Sequence, residues 1–406
     1  MAASEPGGQG VPLLDLKAQY HSIKVDVLQA VERVLESQVF IMGKEVTSFE
    51  AQVGSYLQVP HSIGCSSGSD ALVLALRALD CGKGDGVICP SFTFFATAGA
   101  PSRLGATPIF LDVDADTMNL SLTDLKRYLA QECETRTVDG KPALFDKKRN
   151  VRLKAVVPVH IFGVPVQMDE LAKLVDPHGI AIVEDAAQAI GAKYKDQMIG
   201  GIGAIGCFSF FPSKNLGAAG DAGLVTTRDD KLAKRMKRLR VHGSEPKYYH
   251  HEVGYNFRLD AIQAAILGVK LKHLPAWIDG RRRVARTYSE LFGAAKLTAG
   301  AKPTVRLQAE PAGAHCVYHQ YVIRVEAKLR DGLDKHLQAA GIGTAIYYPT
   351  PLHLQPCFAD LGYKAGALPV SEAACKESLA LPVYPELTRA QQELVVGKIA
   401  EFLGRP

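Results

Sequence analysis

No stretch of this chain is apolar for long enough to span a bilayer, and its first residues, MAASEPGGQG, lack the basic-then-apolar order of a secretory signal. The eight cysteines are scattered and form no CxxC pair, which argues against a zinc site or a disulfide framework and predicts a reducing, cytoplasmic setting. HExxH and GxxxxGK[ST] are both missing, and Asp and His are not spaced as a metal cluster, so no metal and no P-loop chemistry are expected. An excess of one charge is also missing. A formal net charge of +5 over 406 residues suits phosphorylated small substrates and gives no reason to invoke nucleic acid. There is no internal repeat and no low-complexity tail.

One motif is present only in its letters. Gly201-x-Gly203-x-x-Gly206 matches the dinucleotide fingerprint, which should follow a strand and open a helix. Here it leads into the strand-like Cys207–Phe211, so nicotinamide and flavin binding are rejected.

What is there centres on Val183–Gly223. The apolar run Gly179–Val183 ends on Glu184-Asp185, and parallel strands of an open α/β sheet meet their ligands at that end. A second short run, Cys207–Phe211, delivers Pro212-Ser213-Lys214-Asn215 into a glycine-rich loop. An acid at a strand end and a lysine about thirty residues later suit pyridoxal phosphate, which needs an amine for its aldehyde and a carboxylate for its ring nitrogen. Alone, Asp185 reads as a cap or salt-bridge partner and Lys214 as a solvated charge. The pair together, with Ser209 and the glycines, outweighs both.

The rest of the chain fits a parallel α/β sheet, and its length predicts two domains. Residues 1–11, rich in Gly, Ser and Ala, read as a flexible tail. Residues 12–265 read as a large domain and 266–406 as a small C-terminal one. Helical spacing appears over Val25–Val34 and again through Phe49, Val53 and Tyr56. Ile63–Asp70 reads as strand, small-residue turn and helix start. Its free amides make an anion site around Ser67, Gly68 and Ser69, unless Ser69 or Asp70 is simply a cap. Val87–Thr97 reads as a buried strand ending in aromatics, Thr107–Asp112 and Ala155–His160 as further strands, and 131–152 as a surface excursion. His160 stands at a strand end, where a satisfied structural role and a ligand contact are both open. Lys231–Arg240 is a basic helix, either a solvated face or a source of potential for a diphosphate. His250 and His251 read as loop polar contacts. Ile262–Leu271, Arg281–Phe292 and Leu329–Ala340 read as helices, Cys316–Arg324 as a strand, and Ala345–His353 as a strand and turn.

EDAAQAIGA, SFFPSKNLGAAGDAG and GYNFRLDAIQAAIL resemble the nucleotide-sugar aminotransferases, the DegT/StrS group of fold-type-I pyridoxal phosphate enzymes, and the likeness runs from Leu14-Asp15-Leu16-Lys17 to LPVYPELT. The resemblance implies an α/β fold with a mostly parallel central sheet flanked by helices and a smaller α+β C-terminal domain. It implies pyridoxal 5'-phosphate as cofactor, with Lys214 and Asp185 catalytic. Gly68, Ser69 and Ser209 would bind the phosphate with Asn256 of a neighbouring subunit, Phe94 would stack on the ring, and Gln188 would lie beside its phenolic oxygen. Arg258, Tyr347, His353 and His160 are the expected substrate contacts. A homodimer with shared sites follows, as do L-glutamate as donor and a UDP- or dTDP-linked keto-sugar as acceptor, for surface polysaccharide or a glycosylated metabolite. Dehydratases of the family carry histidine in place of Lys214, which disfavours elimination. KYYHHEVGYNFRLD is most similar to enzymes that aminate the third sugar carbon, although many of those have histidine where Tyr347 stands. A regulatory protein without turnover, or another reaction such as decarboxylation, is the competing reading.

Overall fold

The computed structural model describes residues 10–300 and 304–404. Helix α1 (Leu16–Ser37) starts where Asp15 Oδ1 accepts the amides of Lys17 and Ala18, at 3.0 and 2.9 Å, satisfying donors that have no intrahelical acceptor. It buries Ile23, Val27, Ala30 and Val34 at helical spacing, while Val25, Leu28 and Leu35 on its other side stay exposed. Helix α2 (Lys44–Leu57) buries Val46, Phe49, Val53 and Leu57.

Strands and helices then alternate: β1 (His61–Cys65), α3 (Gly68–Ala78), β2 (Asp85–Pro90), α4 (Ala96–Arg103), β3 (Thr107–Leu111) and α5 (Leu122–Gln131). After β4 (Cys133–Val138), β5 (Lys141–Asp146) and β6 (Val151–Val156) come α6 (Met168–Val175), β7 (Ala181–Asp185), β8 (Lys193–Tyr194), β9 (Gln197–Met198), β10 (Ile205–Ser209), β11 (Gly223–Thr227) and α7 (Asp230–Leu239). The main sheet runs β1-β11-β10-β7-β6-β2-β3. Its centre, from β10 to β3, is parallel, and β11 pairs antiparallel with β10 and β1. Such a centre is covered on both faces and its strands are apolar throughout. Helix α3 shows the consequence, with every residue from Ala71 to Leu76 buried.

Helix α8 (Ala261–Leu271) packs on α1 and α2. Helix α9 (Leu274–Ala294) changes allegiance along its length: Leu274 and Ile278 join the core of the main sheet, Val284, Tyr288 and Phe292 a second one. That second core is built by β12 (Arg306–Leu307), β14 (Tyr321–Arg324) and β15 (Ser378–Leu381) in an antiparallel sheet, with α10 (Ala327–Ala339) and α12 (Arg389–Phe402). β13 (Ala314–His315) pairs with β8, and α11 (Pro369–Glu377) precedes β15. Among the described residues no helix is long and apolar enough to cross a membrane.

Five local expectations need correction. The strand expected over Val87–Thr97 stops at Pro90, and Ala96 begins α4. The intervening turn buries Phe92 but leaves Phe94 and Phe95 exposed. The excursion at 131–152 is a hairpin: β4 pairs with β5, and β5 extends the sheet along the first residues of β6. Its apolar positions, Leu144 and Cys133, belong to the core, so it is more than a solvated loop. In 316–324 only Tyr321–Arg324 is a strand. Between Ala345 and His353 there is one bridge, Ala345 to Ala380, and then a 3-10 turn. Finally, Val11 is buried and bonded to Gly341 and Gly343, so the expected tail does not include it; residues 1–9 lie outside the described residues.

Candidate active site

Two neighbouring acids end β7 and face opposite sides of it. Glu184 is fully buried, and its carboxylate accepts the amides of Gly200 (2.8 Å), Ile202 (2.8 Å) and Gly203 (2.6 Å). The Gly201–Gly206 motif is thus a turn wrapped round a carboxylate of its own chain, a nest of backbone N–H groups. A Cβ on Gly203 would lie 2.8 Å from the Ile182 carbonyl, so the close approach requires glycine there.

Asp185 is also buried, but its partners are fewer. Oδ2 accepts the Thr97 hydroxyl at 2.8 Å and Oδ1 the Ala187 amide at 3.2 Å. Burial pushes its carboxyl above the usual range, against the pull of the Thr97 hydroxyl, the Ala187 amide and the charge of Lys214. A buried carboxylate left short of cationic partners is suited to receive one.

Lys214 reaches the same place from β10, the parallel neighbour of β7. Its loop is tied down at several points. Lys214 N–H donates to Phe211 (2.8 Å), Ala218 N–H to Phe210 (2.8 Å), Asn215 Nδ2 to Val317 (3.1 Å) and Lys270 Nζ to Gly217 (2.6 Å). Desolvation lowers the lysine pKa to about 8, with Asp185 opposing the fall. Desolvation of this kind at a half-buried side chain, with a specific charge partner, is typical of functional lysines.

On the third side, Ser67 caps α3 by accepting the Asp70 amide at 3.1 Å. Neither Ser69 nor Asp70 is the cap, and the amides of Gly68 and Ser69 are left at the helix start without an intrahelical acceptor. This turn lies directly on Ser209, since a Cβ on Gly68 would come within 2.5 Å of the Ser209 Cβ. Two free amides, a helix dipole and a hydroxyl therefore converge where a phosphate fits. With Lys214 and Asp185, they fit the three reactive ends of pyridoxal phosphate.

Gln188 is buried, its Oε1 accepting the Phe162 amide (2.5 Å) and its Nε2 donating to the Tyr348 hydroxyl (3.0 Å). Phe94 is 56% exposed and tilted against Tyr348, with ring centroids 6.2 Å apart. Tyr347 is half-buried beside it. Two expected substrate contacts are otherwise engaged. His160 is fully buried; its Nδ1 accepts the Val166 amide at 3.0 Å and its Nε2 faces Glu184 at 3.3 Å. His353 is buried with Nδ1 at 2.6 Å from Ser91 Oγ and Nε2 at 3.2 Å from Glu372. Neither ring has a nitrogen left for a ligand, because both hold loops at the strand ends.

Asn256 is exposed and Arg258 half-buried on an ordered arm. Val241 bridges Asn256, His242 N–H donates to the Tyr255 carbonyl, and Tyr255 N–H donates to the carbonyl of Leu239 at the end of α7. The expected basic face of α7 is partly used up in holding this arm: Arg235 and Arg238 both bind the Glu252 carboxylate, the closest N–O distances being 3.0 and 2.6 Å. Of the two adjacent histidines, His250 Nδ1 bonds the His242 carbonyl and His251 Nε2 the Glu245 carbonyl, the loop contacts expected of them.

Sequence reasoning missed Thr97, Tyr348, Glu252 and His319. For Thr97 a signal existed: Thr93 and Thr97 are four apart, as on a helix, and their hydroxyls lie 3.3 Å apart. For the others, contacts from distant segments decide the role.

Residues 21–400 match the DegT/DnrJ/EryC1/StrS aminotransferase family. Over 97% of its length the chain is 46% identical to a Geobacillus stearothermophilus protein named "Pleiotropic regulatory protein", covering 98% of it. It is 42% identical to the UDP-N-acetyl-3-dehydro-alpha-D-glucosamine 3-aminotransferase of Acidithiobacillus ferrooxidans, covering 97% of each chain. Among solved structures, it is similar to Streptomyces venezuelae DesV in complex with a ketimine intermediate, with a TM-score of 0.88, 38% identity and coverage of 98% of this chain and 100% of that one.

Proposed function

We propose that this chain, which belongs to the DegT/DnrJ/EryC1/StrS aminotransferase family, moves an amino group from L-glutamate to the 3-keto group of a UDP- or dTDP-linked sugar. It is a pyridoxal-phosphate-dependent sugar aminotransferase; the donor, the sugar and the residue roles are our reading. When bound, the cofactor supplies an aldehyde that holds an amine and a cationic ring that draws electrons from the adjoining carbon.

The chain's own residues do the rest. Lys214 would hold the cofactor and, when its amine is free, would move a proton at the donor α-carbon. An amine depressed to about 8 is near the range a general base needs. Asp185 would hold a proton on the ring nitrogen, the ion pair offsetting the cost of burying the carboxylate. Gly68, Ser69 and Ser209 take the phosphate, Gln188 the phenolic side, and Phe94 covers the ring face. The observation that carries this reading is the meeting of Lys214 and Asp185 at the carboxyl ends of β10 and β7.

Asn256 and Arg258 complete the site of a second copy, in a homodimer. An exposed apolar surface supports that assembly: Leu28, Leu35, Val39, Phe40 and Ile41 on and after α1, with Tyr248, Tyr249 and Val253 on the arm. The fork of Arg258 suits a carboxylate or a diphosphate. A role in surface polysaccharide or a glycosylated metabolite, in the cytoplasm, accords with these substrates.

The test is spectral. L-glutamate is expected to convert the loaded protein to the amine form of the cofactor, and one member of a UDP- and dTDP-keto-sugar panel to reverse it. Conversion without reversal by any sugar would favour the regulatory reading that the Geobacillus relative's name suggests, and release of carbon dioxide would favour decarboxylation. Mixing Lys214→Ala with Arg258→Ala subunits tests the shared site: a hybrid dimer has one intact site and regains activity, whereas no recovery would refute the sharing.

A further inference from the structure

Seven side-chain polar atoms are buried without a hydrogen-bond partner among the described residues, and three of them lie on two chain segments packed against each other: Asn215 Oδ1, His319 Nδ1 and Gln320 Oε1. Asn215 follows Lys214 and is bonded to the backbone of the 316–320 segment through Val317. That segment is fixed from two further directions. Val317 N–H donates to Gly163 at 3.0 Å. Arg281, itself buried, donates to the carbonyls of Tyr318, His319 and Val383 at 3.1, 3.2 and 2.9 Å. Gly163 is pressed so closely on the segment that a Cβ there would lie 3.0 Å from the His319 amide. His319 is therefore held beside the lysine loop by backbone contacts alone, and the residue is 8% exposed.

An unpaired buried acceptor is costly, and a structural role would normally have found it a donor. An ammonium has three N–H donors and no acceptor, so it complements this group of atoms. Two amide oxygens and one imidazole lone pair are what it would need on leaving the cofactor. The imidazole is also in the right state. Burial and the charges of Lys214 and Arg281 hold its pKa well below the usual histidine value, so the ring is neutral and can accept.

We propose that His319 is a positioning residue for Lys214, its neutral Nδ1 accepting a hydrogen bond from the lysine amine whenever that amine is not bonded to cofactor. The inference rests on the reading of Lys214 given above. The other charged groups facing the pair are Asp185 on the lysine side and Arg281 on the histidine side, and both persist in every variant below.

The readout is the rate at which full-length protein stripped of cofactor captures pyridoxal phosphate as a function of pH, which follows the neutral fraction of the lysine. Wild type is expected to show a midpoint near 8. Accepting from the ammonium favours its charged form, so His319→Phe should lower that midpoint by about one pH unit, making capture at pH 7 about fivefold faster relative to its own plateau. His319→Asn, which offers a polar atom where Nδ1 sits, should restore the wild-type midpoint, and His319→Gln, which offers one where Nε2 sits, should not. The Asn and Gln pair decides the matter even if the Phe variant fails to fold. Borohydride reduction and peptide mapping of each variant keep the two readings apart. Label on Lys214 with an unchanged or raised midpoint in the Phe or Gln variant overturns the role of His319 alone. Label on another lysine overturns the assignment of Lys214 and this inference with it.

Discussion

Glu184 and Asp185 leave one strand end side by side, both buried, and the two faces they serve differ in how well they are satisfied. The Glu184 face is closed, with three backbone amides and an imidazole surrounding one carboxylate. The Asp185 face has one hydroxyl, one amide and a desolvated lysine. A fully bonded carboxylate stabilises a fold, whereas a carboxylate and an amine held short of partners store a cost that a ligand relieves. The first face is architecture and the second is chemistry.

Substitutions should separate them. Lys214→Ala is expected to abolish turnover and the yellow colour of the loaded protein while leaving the fold intact; transamination that survives it would erase the distinction altogether. Asp185→Asn should lower kcat by about a thousandfold, the scale seen when one electrostatic partner of a reacting group is removed, with little change in the melting temperature of the cofactor-free protein. Glu184→Gln should do the reverse. Charge-assisted bonds to three amides are weakened, so stability should fall by roughly 1–3 kcal/mol, with kcat within a few-fold of wild type once the protein is folded. A large loss of kcat in Glu184→Gln without loss of stability would show that the two faces are not independent.

The functional face was legible in the sequence because it is local. Strand end, acid, second strand and lysine lie within one stretch of chain, and parallel pairing of β7 with β10 is what that spacing allows. The glycine motif between them was set aside as a nucleotide loop because it opens a strand, yet its role in holding Glu184 needs the fold. His160 and His353 illustrate the limit from the other side. A strand-end position makes a histidine a plausible ligand contact, but whether its nitrogens are free depends on Val166, Ser91 and Glu372, which composition cannot supply. The hairpin at 133–146 was missed because most of its residues are polar and outward-facing, and within its strands only Cys133, Ala143, Leu144 and Asp146 are buried. The break after Pro90 was hidden by aromatics that look like a continuing strand and instead split between core and surface.

One further substitution tests the stored cost directly. An unfolded lysine keeps its proton up to about 10.5, whereas folded Lys214 sheds it near 8. Between those values the unfolded state binds more protons than the folded one, so the stability of the cofactor-free protein gains a rising contribution with pH over that window. Below it, at pH 7, the fold carries a charged amine in a desolvated place. Replacing it with the apolar Lys214→Met should therefore raise the melting temperature of the cofactor-free protein at pH 7, and the advantage should shrink as pH climbs from 8 toward 10.5. Removing Glu184 and removing Lys214 should thus move stability in opposite directions from positions served by adjacent strands. A Lys214→Met protein that melts below wild type at pH 7 would mean that the partners of the lysine in the empty site more than offset its desolvation, and that the two faces of β7 differ less than their hydrogen bonds imply.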